Sequence, residues 1–285
     1  MIYLRYTAVV LIVTLATLVQ LQAGENEDNG LLEIRIPTTP VIKLHYGLSS
    51  LSLDEFDRPF GDPGALHLRL GFMHLSGFND ERSILDHMSR FVSIAYYSTE
   101  INDGANSGEL GSSLWRFGLI AEDGYGYRLS GTSDGLHLLL NNSSGMTWSD
   151  ISLDRPEVIL EDNRTERFED AIRFGSLTEA GIQLQLGETF GMNASFERSI
   201  IYERQLFWKW TGSVLIEGAL HGLTSIFVDA IMESSPAAGP IVNFVLQNGL
   251  AYGIYELRKS NMNWPFETAA PLHYDTFKLG LTFTF

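Results

Sequence analysis

His74, Leu75 and Ser76 sit at the end of a run that alternates in character. Leu66, Leu68, Leu70 and Phe72 interleave with His67, Arg69 and Gly71, so residues two apart share a strand face. Continuing the alternation puts His74 and Ser76 on the apolar face. A base beside a hydroxyl can cleave an acyl ester: the imidazole takes the hydroxyl proton while the oxygen attacks the carbonyl. A third group would orient the imidazole, and Asn79, Asp80, Glu81 and Asp86 are the candidates by proximity in sequence. The competing expectation is structural: an interfacial histidine and a turn serine where a strand leaves a membrane.

A second constellation lies at Glu217, His221, Ser225, Asp229 and Glu233, each four residues from the last. On a helix each step advances by about 400°, so the five trace a polar stripe winding by about 40° per step. A Glu and a His four apart have ligand spacing, but a metal ion needs more groups converging. The stripe therefore reads as a polar helix face turned to water or to a neighbouring wall. Arg164 to Arg173 mixes both charge signs and reads as a solvated stretch. The chain carries no phosphate loop, dinucleotide fingerprint or zinc motif. No metal and no cofactor are expected, apart from calcium if the ester chemistry holds.

The elements that must position these groups are strands of a particular kind. In Tyr274 to Phe285, Phe277, Leu279, Leu281, Phe283 and Phe285 alternate with Lys278, Gly280, Thr282 and Thr284. One face is apolar and aromatic, the other small or polar. Twelve residues at about 3.3 Å each, tilted by about 40°, span roughly 30 Å, the depth of a bilayer core. A transmembrane barrel needs this pattern, with lipid outside and a polar lumen inside. At the other end, residues 1–24 read as a secretory signal peptide. Arg5 is its basic region, Ala8 to Leu21 its apolar run, and Ala23 and Gly24 its small residues for cleavage. There is no cysteine, which excludes disulfides, thiolate metal sites and a lipid-anchored N-terminus.

Composition agrees. Net charge is −16, so nucleic acid is not an expected partner. Mean hydropathy is only +0.02, as half-polar strands give and helical membrane proteins do not. Acidic residues gather at 25–28, 54–57, 80–81 and 161–162. These stretches read as solvated loops.

Segment 25–40 reads as a periplasmic lead-in and 41–206 as the barrel strands. Turn-like runs at Glu122-Asp123-Gly124, Asn142-Ser143-Ser144-Gly145 and Glu179-Ala180 predict three hairpins. The resulting count of ten or eleven candidates predicts an even-numbered barrel of ten or twelve strands. Alternation stops at Phe207. Residues 207–259 read as a helical hairpin broken at Ser234-Ser235-Pro236, with Asn243 and Gln247 four apart on its second helix. Gly218/Gly222 and Gly249/Gly253 would allow close helix approach, or mark places where glycine is simply tolerated. Residues 274–285 form the closing strand. With its last residue on the periplasmic side, the hairpin belongs to an extracellular loop, as a rim cap or a plug. The same parity, counted from a first strand at Val41, puts His74 at the periplasmic end.

The ending at Phe277 to Phe285 resembles that of Gram-negative outer-membrane β-barrel proteins, whose terminal Phe and alternating strand are read by the barrel assembly machinery. The resemblance implies an all-β transmembrane antiparallel barrel in the cell outer membrane, in contact with its lipid and lipopolysaccharide. A structural, binding or small-channel role follows from it. His74-Leu75-Ser76 resembles the His-x-Ser pair of outer-membrane phospholipase A and the lipid A deacylases, which also faces outward. Those families continue with Asn where Gly77 stands here. That resemblance implies a lipid-active serine esterase with His74 as base and Ser76 as nucleophile.

Overall fold

The computed structural model describes residues 37–54, 56, 58–78, 81–130, 135–154 and 164–285. The signal-peptide reading of residues 1–24 lies outside them. The strands are β1 (Thr39–Leu53), β2 (Gly64–Phe78), β3 (Glu81–Ser98), β4 (Gly111–Arg128), β5 (Leu136–Asp154), β6 (Arg173–Leu186), β7 (Phe190–Ile201) and β8 (Leu272–Thr284). Each pairs antiparallel with its sequence neighbour, and β8 closes on β1 to make one eight-stranded barrel. Helices α1 (Phe207–Ser234) and α2 (Gly239–Arg258) stand between β7 and β8.

The ladder fixes the geometry. A circuit of directly paired residues that leaves at Lys43 passes Arg69, Ser93, Gly118, Thr147, Gly175, Ile201 and Leu272 and returns at Leu53, a stagger of ten residues. Ten residues of about 3.3 Å against eight strand spacings of about 4.8 Å give a tilt of roughly 40°. Connections at one rim are short: residues 79–80, 129–135 and 187–189. Gly187, with φ +68°, supplies the left-handed residue of the three-residue connection 187–189. At the other rim the connections are long: residues 54–63, 99–110, 155–172 and 202–271.

Eight strands replace the expected ten or twelve, for a clear reason. The three predicted hairpin turns are strand interiors. Asp123 pairs with Asn142, Asn142 with Ala180, Glu122 with Ser143 and Ser143 with Glu179. The three turn-like runs thus lie side by side as one polar patch in the wall of β4, β5 and β6. The first strand also starts two residues earlier than expected, inside the segment read as a periplasmic lead-in.

The alternation sorts the two faces as a membrane barrel requires. Leu44, Tyr46, Leu48, Leu66, Leu70, Phe72, Val92, Phe117, Phe277 and Leu279 are exposed on the outer face. Lys43, His45, His67, Arg69, Arg116, Glu179, Glu197 and Lys278 are buried in the lumen. A soluble barrel would reverse this order.

Candidate functional site

Three places in this frame carry the chemistry of the chain: the lumen, the outer wall beneath the helices, and the outward end of β2.

The lumen is filled by an ion-pair network. Glu197 Oε1 takes Arg116 at 2.5 Å and Glu197 Oε2 takes Lys278 Nζ at 2.6 Å. Lys278 Nζ also reaches Glu179 Oε2 at 2.5 Å, and Arg69 pairs closely with the same carboxylate. Lys43 Nζ sits 2.6 Å from Glu122 Oε1, which also accepts from Asn141 Nδ2 at 3.2 Å. Tyr97 OH donates to Glu197 at 3.2 Å, and the Arg116 guanidinium lies over the Tyr97 ring. Every charged member is essentially buried. An eight-stranded barrel is just wide enough for side chains to fill it, and here the filling is charged. Gly280 leaves room for it: a Cβ there would meet His45 Cδ2 at 2.4 Å.

Towards the long-loop rim the lumen turns apolar. Leu51, Leu114, Tyr97 and Tyr274 from the strands meet Phe60, Leu110 and Phe168 from three separate loops. Pairing of Phe60 with Leu110 ties two of those loops together across the mouth. The barrel is thus blocked by charge at mid-height and capped by hydrocarbon above.

The helical hairpin occupies neither of the places expected of it. It does not plug the lumen and does not rest above the rim. It leaves the long-loop rim and lies along the outer wall, with α2 packed on β4, β5 and β6. Phe174, Tyr202 and Trp210 stack near its base. Val228 and Met232 of α1 pack with Ile84 near its tip, together with the outward-facing Phe78, Tyr125 and Tyr127. The physical reason is space, since the lumen is already full. The wall of β4, β5 and β6 on which α2 packs carries the polar patch: its inward residues Glu122, Ser143 and Glu179 face the lumen network, while Asp123, Asn142, Ser144 and Ala180 face outward, small or polar.

The polar stripe of α1 turns towards α2. Arg258 donates to Glu217 Oε2 and to Ser213 Oγ, both at 2.8 Å. His221 Nδ1 donates to Gln247 Oε1 at 2.5 Å, and Gln247 Nε2 donates to Ser225 Oγ at 3.0 Å. The stripe is therefore an interhelical hydrogen-bond ladder. Its position and the Gln247 signal were both present in the sequence; the pairing was not. Of the two readings of the helix glycines, simple tolerance fits Gly222, Gly249 and Gly253, which face open space. Among the described residues no group of three or more His, Asp or Glu side chains is placed to hold a metal ion.

His74 and Ser76 lie on the outward face of β2, near the short-turn rim, as alternation predicts. Both are half-buried. Ser76 pairs directly with Asp86 on β3, and His74 pairs with Met88. Asp86 is the one candidate third member whose side chain is described and faces outward; Asn79 and Asp80 lie outside the described residues, as does the Glu81 side chain. Residues directly opposite on paired strands stand close enough for side chains to meet, so Asp86 is placed beside Ser76.

No protein-family model matches the chain, and no curated protein matches it. Among solved structures the chain is similar to Neisserial surface protein A, with a TM-score of 0.40 and 8% identity over 86% of this chain and 97% of that one. It is also similar to Ail, the attachment invasion locus protein of Yersinia pestis, with a TM-score of 0.35 and 12% identity over 88% of this chain and 100% of that one.

Proposed function

We propose that the chain is an integral outer-membrane barrel that acts through its surface, in a structural or binding role, and does not conduct solute. The apolar belt around a charged interior supports the membrane, and the short connections at one rim against long loops at the other support the outer membrane. The single observation that carries the non-conducting role is the closed lumen. Conduction needs a continuous wetted path. Here seven charged side chains are paired across the interior (Lys43, Arg69, Arg116, Lys278, Glu122, Glu179 and Glu197), and an apolar cap lies over them. Reconstituted into a planar bilayer, the protein is expected to be electrically silent. Stable stepwise openings across repeated insertions would reject this role. Its partners in this reading are outer-membrane lipid and lipopolysaccharide, and during insertion the assembly machinery through the Phe285 strand.

A second reading has one observation in its favour. His74 and Ser76 share the outward face of β2, and Asp86 stands opposite Ser76. In a lipid-active esterase the imidazole of His74 would take the Ser76 proton as Ser76 Oγ attacks an acyl carbonyl, with Asp86, opposite Ser76, as the candidate third member. On this topology the pair sits near the periplasmic leaflet. Detergent-solubilised protein given a chromogenic acyl ester and calcium should then turn over, and Ser76→Ala should abolish turnover. No turnover by the unaltered protein removes the esterase reading.

A further inference from the structure

The hairpin is pinned at both rims of the barrel. At the short-turn rim Tyr127, the penultimate residue of β4, donates its hydroxyl to Ala237 O at 2.8 Å, in the link between α1 and α2. At the long-loop rim Tyr255 OH donates to Asp275 Oδ1 at 2.6 Å, and Lys259 O lies 3.3 Å from His273 Nε2. Asp275 stands two residues before Phe277, the first member of the outward belt that runs to Phe285. The belt's full height therefore lies between the two anchors. Helix α2 has 20 residues, about 30 Å at 1.5 Å each, the thickness of a hydrocarbon core.

The side chains are arranged for the same depth. Helix α1 is long and apolar enough to cross a bilayer, and little of it is buried against protein. Leu215, Leu223, Ile226 and Phe227 are 51%, 66%, 69% and 58% exposed. Its hydrogen-bonding groups turn inward to the ladder with α2. Its exposed acids, Asp229 and Glu233, come only near the short-turn end. In water this order is inverted; in hydrocarbon it satisfies every rule, because helices pair their own backbone groups.

We propose that α1 and α2 cross the hydrocarbon core outside the barrel, with the outer face of α1 against lipid acyl chains and the hairpin tip at the periplasmic surface. The proposal rests on the outer-membrane reading. It commits to acyl chains because the α1 face continues the lipid belt of the barrel around the same circumference.

The chain has no cysteine, so single cysteines report cleanly. Four positions decide: Ser107→Cys in a long loop, Ser235→Cys at the hairpin tip, Leu223→Cys in mid-α1 and Leu279→Cys in the β8 belt. In intact cells a membrane-impermeant maleimide should label Ser107→Cys alone. Permeabilising the outer membrane should add Ser235→Cys, while Leu223→Cys and Leu279→Cys stay unlabelled. Spin labels at 223 and 279 in phospholipid vesicles should both collide with oxygen and be shielded from a soluble nickel chelate. Labelling of Ser235→Cys in intact cells together with Ser107→Cys would place the hairpin outside the cell and overturn the proposal. Shielding of position 223 from both relaxers would put protein there in place of lipid, and also overturn it. Exposure of Leu279→Cys to the aqueous reagents would instead sink the outer-membrane reading itself.

Discussion

Glu197→Gln is expected to cost about 3–5 kcal/mol of unfolding free energy, the range for removing one partner of a buried ion pair. The substitution keeps size and shape and removes only charge. Glu197 is fully buried and serves Arg116 at 2.5 Å, Lys278 at 2.6 Å and Tyr97 at 3.2 Å, with Arg69 at 3.6 Å. The network holds four cations, Lys43, Arg69, Arg116 and Lys278, against three carboxylates, Glu122, Glu179 and Glu197. Neutralising one carboxylate doubles the excess positive charge in a space that water cannot freely relax. Urea unfolding from phospholipid vesicles, followed by tryptophan fluorescence and by heat-dependent mobility, measures the loss. Adding Lys278→Met should recover part of it, since one cation then leaves with the carboxylate. Arg167→Ala, which breaks the exposed pair with Glu203, should stay within about 0.5 kcal/mol. A Glu197→Gln protein as stable as its parent would mean that the lumen is hydrated, and the closed-barrel argument would fall with it.

The same carboxylates show what the sequence could and could not reveal. The β8 ladder was legible because its two faces differ at every step from Phe277 to Phe285. The outward placement of His74 and Ser76 was legible for the same reason. The strand count was not. Glu122-Asp123-Gly124 and Asn142-Ser143-Ser144-Gly145 have the composition of turns, and a single strand offers no means to tell a turn from a polar stretch whose partners lie across the barrel. Only the closed register shows that Glu122 meets Lys43 from β1 and that Glu179 meets Arg69 and Lys278 from β2 and β8. The helices themselves were visible in the break at Ser234-Ser235-Pro236 and in the four-residue spacing from Glu217. Their position was not, because an apolar hairpin fits a lumen or a lipid face equally well until the filling of the lumen is known. Gly249 and Gly253 stayed open to two readings for a related reason: spacing marks a small-residue row, and only packing shows whether anything approaches it.

Excising the hairpin should leave a closed barrel that is less stable in lipid, and one set of substitutions should then act with opposite signs in the two proteins. Ile201 and Leu272 are paired, so a short turn can replace residues 202–271 without disturbing the ladder. The barrel closes through β1 and β8 and does not need the helices for that. What it loses is the cover over a wall that carries Ser176, Thr178 and Arg198 beside α2, with Asn142 and Ala180 facing outward on the strands where α2 packs. Facing lipid, Arg198, opposite Asp275 at the long-loop end of the belt, costs about 0–1 kcal/mol and each unpaired hydroxyl or amide about 1–3 kcal/mol, so the excised barrel should lose several kcal/mol in vesicle unfolding. Asn142→Leu with Ala180→Leu should return about 1–2 kcal/mol to that barrel, because leucine is the better residue against acyl chains. In the full chain the same pair should cost about 1–3 kcal/mol, because the enlarged side chains lift α2 from the wall and strain its packing. A sign reversal between the two backgrounds has no source other than a helix seated on that patch. The same sign in both would mean that the patch meets lipid already, and the hairpin would have to lie elsewhere.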